Sequence, residues 1–153
     1  MINTIVLAED SLEHCFFFKK ALKEIDPFIQ FTEVHDGDEL IALLQSFHSD
    51  LLFLDLAMPC KNGIQCIKEL REDRAYDNLP IVVFSITSQN NAIQTAYGFG
   101  ANLFLVKPGE YNLLETSLKN ILSMDWTNPK KITEKHFYKN QYLPFTYSSE
   151  KFD

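Results

Sequence analysis

Three short stretches of this chain, Ile5–Ala8, Leu51–Leu54 and Ile81–Phe84, are apolar at every position. A strand with one wet face alternates apolar and polar residues, whereas a parallel strand covered on both faces does not. Two further candidates, Phe31–Val34 and Leu103–Val106, complete a set of five strands; the first is more mixed, which suits a sheet edge. Amphipathic stretches fill the gaps. Ser11 can cap a helix carrying Cys15, Phe18, Leu22 and Ile25 at spacings of three and four, with Pro27 after its end. Leu40, Leu43, Leu44 and Phe47 form a second stripe, Ile64, Ile67 and Leu70 a third, and Leu114, Leu118 and Ile121 a fifth. The fourth, around Gln89–Tyr97, has only Ile93, Ala96 and Tyr97 before Gly98 and Gly100. Five β-α units predict an α/β fold, a doubly wound five-stranded parallel sheet with helices on both faces.

Composition narrows the class. With 153 residues, 46% apolar and 23% charged, the chain can build one well-cored domain. No apolar run approaches the ~18 residues of a membrane span, and Met1–Ile5 lacks the basic start of a signal peptide. Three cysteines (Cys15, Cys60, Cys66) without Cys-x-x-Cys spacing read as reduced thiols that pack or lie on the surface, and the expected compartment is the cytoplasm. The net charge of −7 would repel a bare polyanion, so neither nucleic acid nor membrane is expected as a partner. The charge is uneven: residues 1–123 carry −8 and residues 124–153 carry +1. This sets the expected boundary between a domain at 1–123 and an extension at 124–153.

In doubly wound sheets ligands bind beyond the carboxyl ends of the strands. Glu9 and Asp10 follow the first strand, Asp55 the third, Ser85 ends the fourth, and Lys107-Pro108 follows the fifth. At an effective dielectric near 20, a like-charge pair about 4 Å apart costs about 4 kcal/mol. A divalent cation plus the Lys107 ammonium would neutralise the three carboxylates, and hard oxygen ligands favour Mg²⁺. The set suits phosphoryl transfer to a carboxylate, with Asp55 as nucleophile and Lys107 and Ser85 on the phosphoryl oxygens.

Glu9-Asp10, Asp55-Leu56-Ala57-Met58-Pro59, Val83-Phe84-Ser85 and Phe104-Leu105-Val106-Lys107-Pro108 together resemble the receiver domain of two-component response regulators. Gly63, Asp36-Gly37 and Gly100-Ala101-Asn102 also fit, and the resemblance covers about residues 3 to 123. It implies a flavodoxin-like (βα)5 sheet of strand order 2-1-3-4-5. It also implies that Asp55 accepts phosphate from a sensor histidine kinase or a phosphotransfer protein. Mg²⁺ would be held by Glu9, Asp10, Asp55 and the backbone carbonyl of Ala57. Lys107 would contact the phosphoryl group, Ser85 would move toward it, and Phe104 would turn with Ser85 as the switch aromatic. The readout surface would be the fourth helix, fifth strand and fifth helix. Tyr97-Gly98-Phe99-Gly100-Ala101-Asn102 with Asp125-Trp126 is similar to stand-alone receivers allied to phytochrome-type regulators, which favours a homodimer through that surface.

Taken singly, each motif has a plainer reading: an acidic helix start, a solvated loop, a helix cap, a core aromatic. Their convergence on strand ends outweighs these. A flavin binder on the same sheet would want a phosphate-cradling loop where Ala8-Glu9-Asp10-Ser11 stands, and an aspartyl phosphatase would want an acid at position 57, which is Ala. The expectation is therefore a single-domain response regulator, not an enzyme beyond its own phosphorylation and dephosphorylation; a phosphorelay intermediate or phosphate sink is the alternative. Ile86 after Ser85 should narrow access to Asp55 for small donors. His14, His35, His48 and His136 show no ligand-like spacing, and Asp36 and Asp38 read as a helix start. The extension carries Trp126, Phe137, Tyr138, Tyr142, Phe145, Tyr147 and Phe152, too aromatic for a disordered tail. With no helical period and too few residues for an output domain, it is expected to dock on the receiver or on a second subunit.

Overall fold

A computed structural model describes residues 1–146. Five strands, β1 (Thr4–Ala8), β2 (Gln30–Val34), β3 (Leu51–Leu54), β4 (Ile81–Ser85) and β5 (Leu103–Val106), pair in parallel in the order β2-β1-β3-β4-β5. The connecting helices are α1 (Leu12–Ile25), α2 (Gly37–Leu44), α3 (Gly63–Glu72), α4 (Asn90–Phe99) and α5 (Tyr111–Leu122). The expected fold class and strand order are both present. Every residue of β3 and β4 is buried, as their unbroken apolar runs require, and only Val34 of β2 is buried, as an edge allows.

Two apolar layers flank the sheet. Ile5, Leu7, Leu51, Phe53, Phe84 and Leu105 face Phe18 and Leu22 of α1 and Leu114, Leu118 and Ile121 of α5. Val6, Ala8, Leu52, Leu54, Val83 and Phe104 face α2, α3 and α4. Ser11 caps α1 by accepting from the His14 amide, and Asp36 caps α2 by accepting from Glu39. Asn62 and Gln65 close a reciprocal capping box on α3. The cap of α4, Gln89, makes no side-chain bond, in keeping with its thin stripe; its far end is closed by Gly100 at φ +118°. Phe47 lies beyond the end of α2 rather than on its stripe. No described helix is long and apolar enough to cross a membrane.

The extension, which shows no helical period in sequence, nevertheless contains a short helix. Pro129–Lys135 forms a helix, α6, followed by a hairpin of β6 (Phe137–Tyr138) and β7 (Gln141–Tyr142). Seven residues are too few to display a period, and α6 reveals itself only through Pro129 at its first position and Ile132 turned inward. Of the two expected docking places, the receiver or a second subunit, the described part of the extension takes the receiver. Trp126, Ile132 and Phe145 join the α1/α5 layer, while Tyr142 packs against the α4 layer. Tyr147 and Phe152 lie outside the described residues.

Candidate functional site

The sheet register builds the site. Ala8 and Leu54 are paired, as are Leu54 and Val83, and Ser85 and Val106, so the carboxyl ends of four strands lie level. The ladder runs one residue further: the Glu9 amide donates to Val34 O (2.9 Å), Asp55 to Ala8 O (2.9 Å) and Lys107 to Ser85 O (2.7 Å). The backbones of all three residues are thus fixed before any side chain is placed. Gly63 lets α3 start against this rim. A Cβ there would stand 2.4 Å from the Asp55 carbonyl oxygen, which no side chain can do.

Glu9 is fully buried and Asp55 is 4% exposed, while Asp10 reaches solvent. Each of these three carboxylates can offer one oxygen within 4.8 Å of the others. The Lys107 ammonium, itself buried, is ion-paired with Glu9 Oε1 and lies 3.5 Å from Asp55 Oδ2. It also stands over the Phe84 ring at 5.2 Å. The Ala57 amide donates to Asp55 Oδ1 (3.3 Å) and the Ser11 amide to Glu9 Oε2 (3.1 Å).

Burial would raise the Glu9 pKa, but the Lys107 hydrogen bond and charge outweigh it and hold the carboxyl below its ordinary value. Asp55 goes the other way. Burial first, and then the Glu9 charge, push it up, against a partial offset from Lys107. The single ammonium serves Glu9 better than Asp55, and it faces three carboxylates. Glu9 Oε1, fully buried, is held by the Lys107 ion pair. Three clustered carboxylates facing that one ammonium fit a small hard cation such as Mg²⁺.

Ser85 is buried at the end of β4, and its hydroxyl accepts from the Thr87 amide (3.3 Å) rather than capping a helix. Phe104 is fully buried under α4, beside Val83, Ile93, Ala96 and Tyr97. Ile86 is 73% exposed and lines a cleft of about 430 Å³ with His14, Phe17, Phe84, Lys107 and Tyr111. That cleft shares Lys107 with the acidic cluster but is not lined by Glu9, Asp10 or Asp55.

One residue denied a role on spacing belongs to the site. His14 Nδ1 is 2.9 Å from Lys107 Nζ and 3.4 Å from Glu9 Oε1. An ammonium can only donate, so this nitrogen accepts and the ring proton sits on Nε2. The signal was present: His14 is four residues past Asp10, one turn along a helix that starts at the rim.

Residues 5–119 match the profile of the response regulator receiver domain. Among curated relatives, the transcriptional regulatory protein MalR of Bacillus subtilis is 29% identical over 137 residues, covering 89% of this chain and 54% of its own length. The transcriptional regulatory protein CpxR of Klebsiella pneumoniae is 32% identical over 136 residues, covering 87% and 55%. The chain thus spans about half the length of these relatives. Among solved structures, the phosphorylated cyanobacterial phytochrome response regulator RcpA superposes with a TM-score of 0.74 at 26% identity, covering 79% of this chain and 91% of that one. A parallel sheet in the order 2-1-3-4-5, an acid pocket at its carboxyl rim, and a profile match across three-quarters of the sequence converge: this chain belongs to the response regulator receiver domain family.

Proposed function

We propose that Asp55 accepts a phosphoryl group from a phosphohistidine, on a sensor histidine kinase or a phosphotransfer protein, and that the chain signals by changing its contacts with other proteins. The carrying observation is Asp55 held at a fixed depth between Glu9, Asp10 and the Lys107 ammonium. In the transfer an Asp55 oxygen forms the new O–P bond as the histidine N–P bond breaks, and the freed imidazole nitrogen takes up a proton. Asp55 passes from a charge of −1 to roughly −2 and gains three acceptor oxygens.

Glu9, Asp10, Asp55 and the Ala57 carbonyl would hold the Mg²⁺, which when bound supplies positive charge to the phosphoryl oxygens. Lys107 supplies the second positive charge. To do so it must loosen from Glu9, whose carboxylate the cation then balances. The Ser85 hydroxyl, which accepts from the neighbouring Thr87 amide, can turn toward the phosphoryl group, and Phe104 behind it can respond. On this reading the chain turns over no substrate but its own aspartyl phosphate, and works in the cytoplasm.

The test is intact-mass spectrometry after incubation with Mg²⁺ and a phosphorylated histidine kinase or acetyl phosphate. An adduct of about 80 Da in the parent and none in Asp55→Asn is expected, since one phosphoryl group replaces one proton. Absence of the adduct with every donor overturns the reading.

A further inference from the structure

The extension does more than fill space on α4 and β5; it is bound there as a peptide would be. The Gln94 side-chain amide clasps Tyr142 in both directions, its Nε2 donating to Tyr142 O (2.6 Å) and its Oε1 accepting from Tyr142 N (2.9 Å). One residue on, the Tyr97 hydroxyl donates to Leu143 O (2.9 Å). Pro144 has no amide to satisfy. The Phe145 amide then donates to Phe104 O (2.7 Å), and Phe145 adds to β5 as a parallel bridge opposite Leu105. Four hydrogen bonds thus read the backbone of Tyr142–Phe145. Two side chains add selectivity: Tyr142 stacks on Tyr97 at 4.7 Å and 13°, and Phe145 is buried beside Leu105. Backbone bonds to a sheet edge, with alternate side chains in pockets, are the physics of strand addition to an open edge.

We propose that the α4–β5 face is a docking groove for an extended segment with an aromatic residue three positions before a Phe. In this form of the protein it is capped in cis by the chain's own residues 142–145. A tethered segment acts at an effective concentration on the order of millimolar, so an outside ligand meets a groove that is mostly filled. Its apparent affinity is reduced by the fraction of molecules whose cap is undocked. The cap is therefore an internal competitor that sets the threshold for any partner reading this face. This inference does not rest on Asp55 accepting phosphate.

The experiment uses the full chain and a fluorescent peptide of residues 136–146. In Y142S/F145S the cap is loosened while every groove residue is retained. Fluorescence anisotropy should show the peptide binding this variant at least tenfold more tightly than the parent. Adding Gln94→Ala to the loosened chain should weaken binding at least fivefold. Equal binding to parent and loosened chain, or binding to neither while the loosened chain still melts cooperatively, overturns the proposal. Should the loosened variant not fold, amide hydrogen exchange on the parent decides. Protection of the Tyr142 and Phe145 amides well above hairpin-tip rates is expected, and exchange as fast as at Lys139–Asn140 overturns it.

Discussion

Lys107 Nζ donates to His14 Nδ1 across 2.9 Å while it is ion-paired with Glu9, so the ammonium is held from the α1 side as well as from the sheet. Were a metal ion to take over Glu9, His14 would remain to aim Lys107 at Asp55. His14→Leu should therefore slow phosphorylation by acetyl phosphate about threefold to tenfold, the net worth of one ordinary hydrogen bond at a half-exposed site. His14→Asn, whose side-chain oxygen can stand where Nδ1 does, should recover most of the rate. Equal rates for all three proteins would remove His14 from the site.

Lys107→Met leaves Glu9 buried without its cation. Without divalent ions this variant should lose about 2–3 kcal/mol of stability, discounted from a fully broken buried pair because Glu9 can take up a proton. Mg²⁺ should recover more stability in Lys107→Met than in the parent, since the ammonium no longer competes for Glu9. Chemical denaturation with and without 10-fold increments of Mg²⁺ reads both effects.

The raised pKa of Asp55, to about 6, carries a definite sign. A carboxyl whose folded pKa lies above its unfolded value favours the fold while protonated, and that contribution is lost as pH climbs through the folded pKa. Free of divalent ions, the parent should lose stability from this group between about pH 4 and 7, by about 2 kcal/mol. Asp55→Asn should be more stable than the parent at pH 7.5, with the gain shrinking at pH 5. Melting temperatures across this range check it, and a flat difference would refute the assignment.

Deleting residues 128–153 removes Ile132 and Phe145 from the α1/α5 layer and strips Tyr142 from Tyr97. The expected loss is about 2–4 kcal/mol from the two buried side chains, measured by urea unfolding. A truncated chain as stable as the parent would mean that the extension contributes nothing to the core.

Phe104 belongs to both ends of the molecule. Its side chain lies under α4 on the way from Ser85, its amide donates to the Tyr97 hydroxyl (3.0 Å), and its carbonyl holds Phe145. A phosphoryl mimic such as beryllofluoride at Asp55 should change the exchange rates of the Tyr142 and Phe145 amides, and loosening the cap should change beryllofluoride affinity by the same factor. Rates identical with and without the mimic would show the two sites to be uncoupled.

Much of this could be read in the chain itself, for physical reasons. Ile5–Ala8, Leu51–Leu54 and Ile81–Phe84 announce covered strands, and Glu9, Asp55 and Lys107 each follow a strand directly, so the sheet alone brings them together. His14 depends instead on the rotation of a helix about its axis, which spacing fixes only once the acidic rim is known. The docking of Tyr142–Phe145 was less legible still. It is carried by backbone groups, which every sequence shares, and by the Gln94 amide, which looks like any surface glutamine until its partner arrives. The C-terminal aromatics signalled that the segment docks; they did not say where.

An open sheet has two borders with unpaired amides and carbonyls, each a template for sticking to another molecule. On the β5 side, Thr133 Oγ1 donates to the Asn102 carbonyl, Tyr97 takes the Phe104 amide and Phe145 takes its carbonyl, so that border is covered from within at Asn102 and Phe104. At the β2 border no further strand pairs among the described residues. Proteolytic trimming of the tail would lay the β5 border bare as a fresh seam for edge-to-edge pairing.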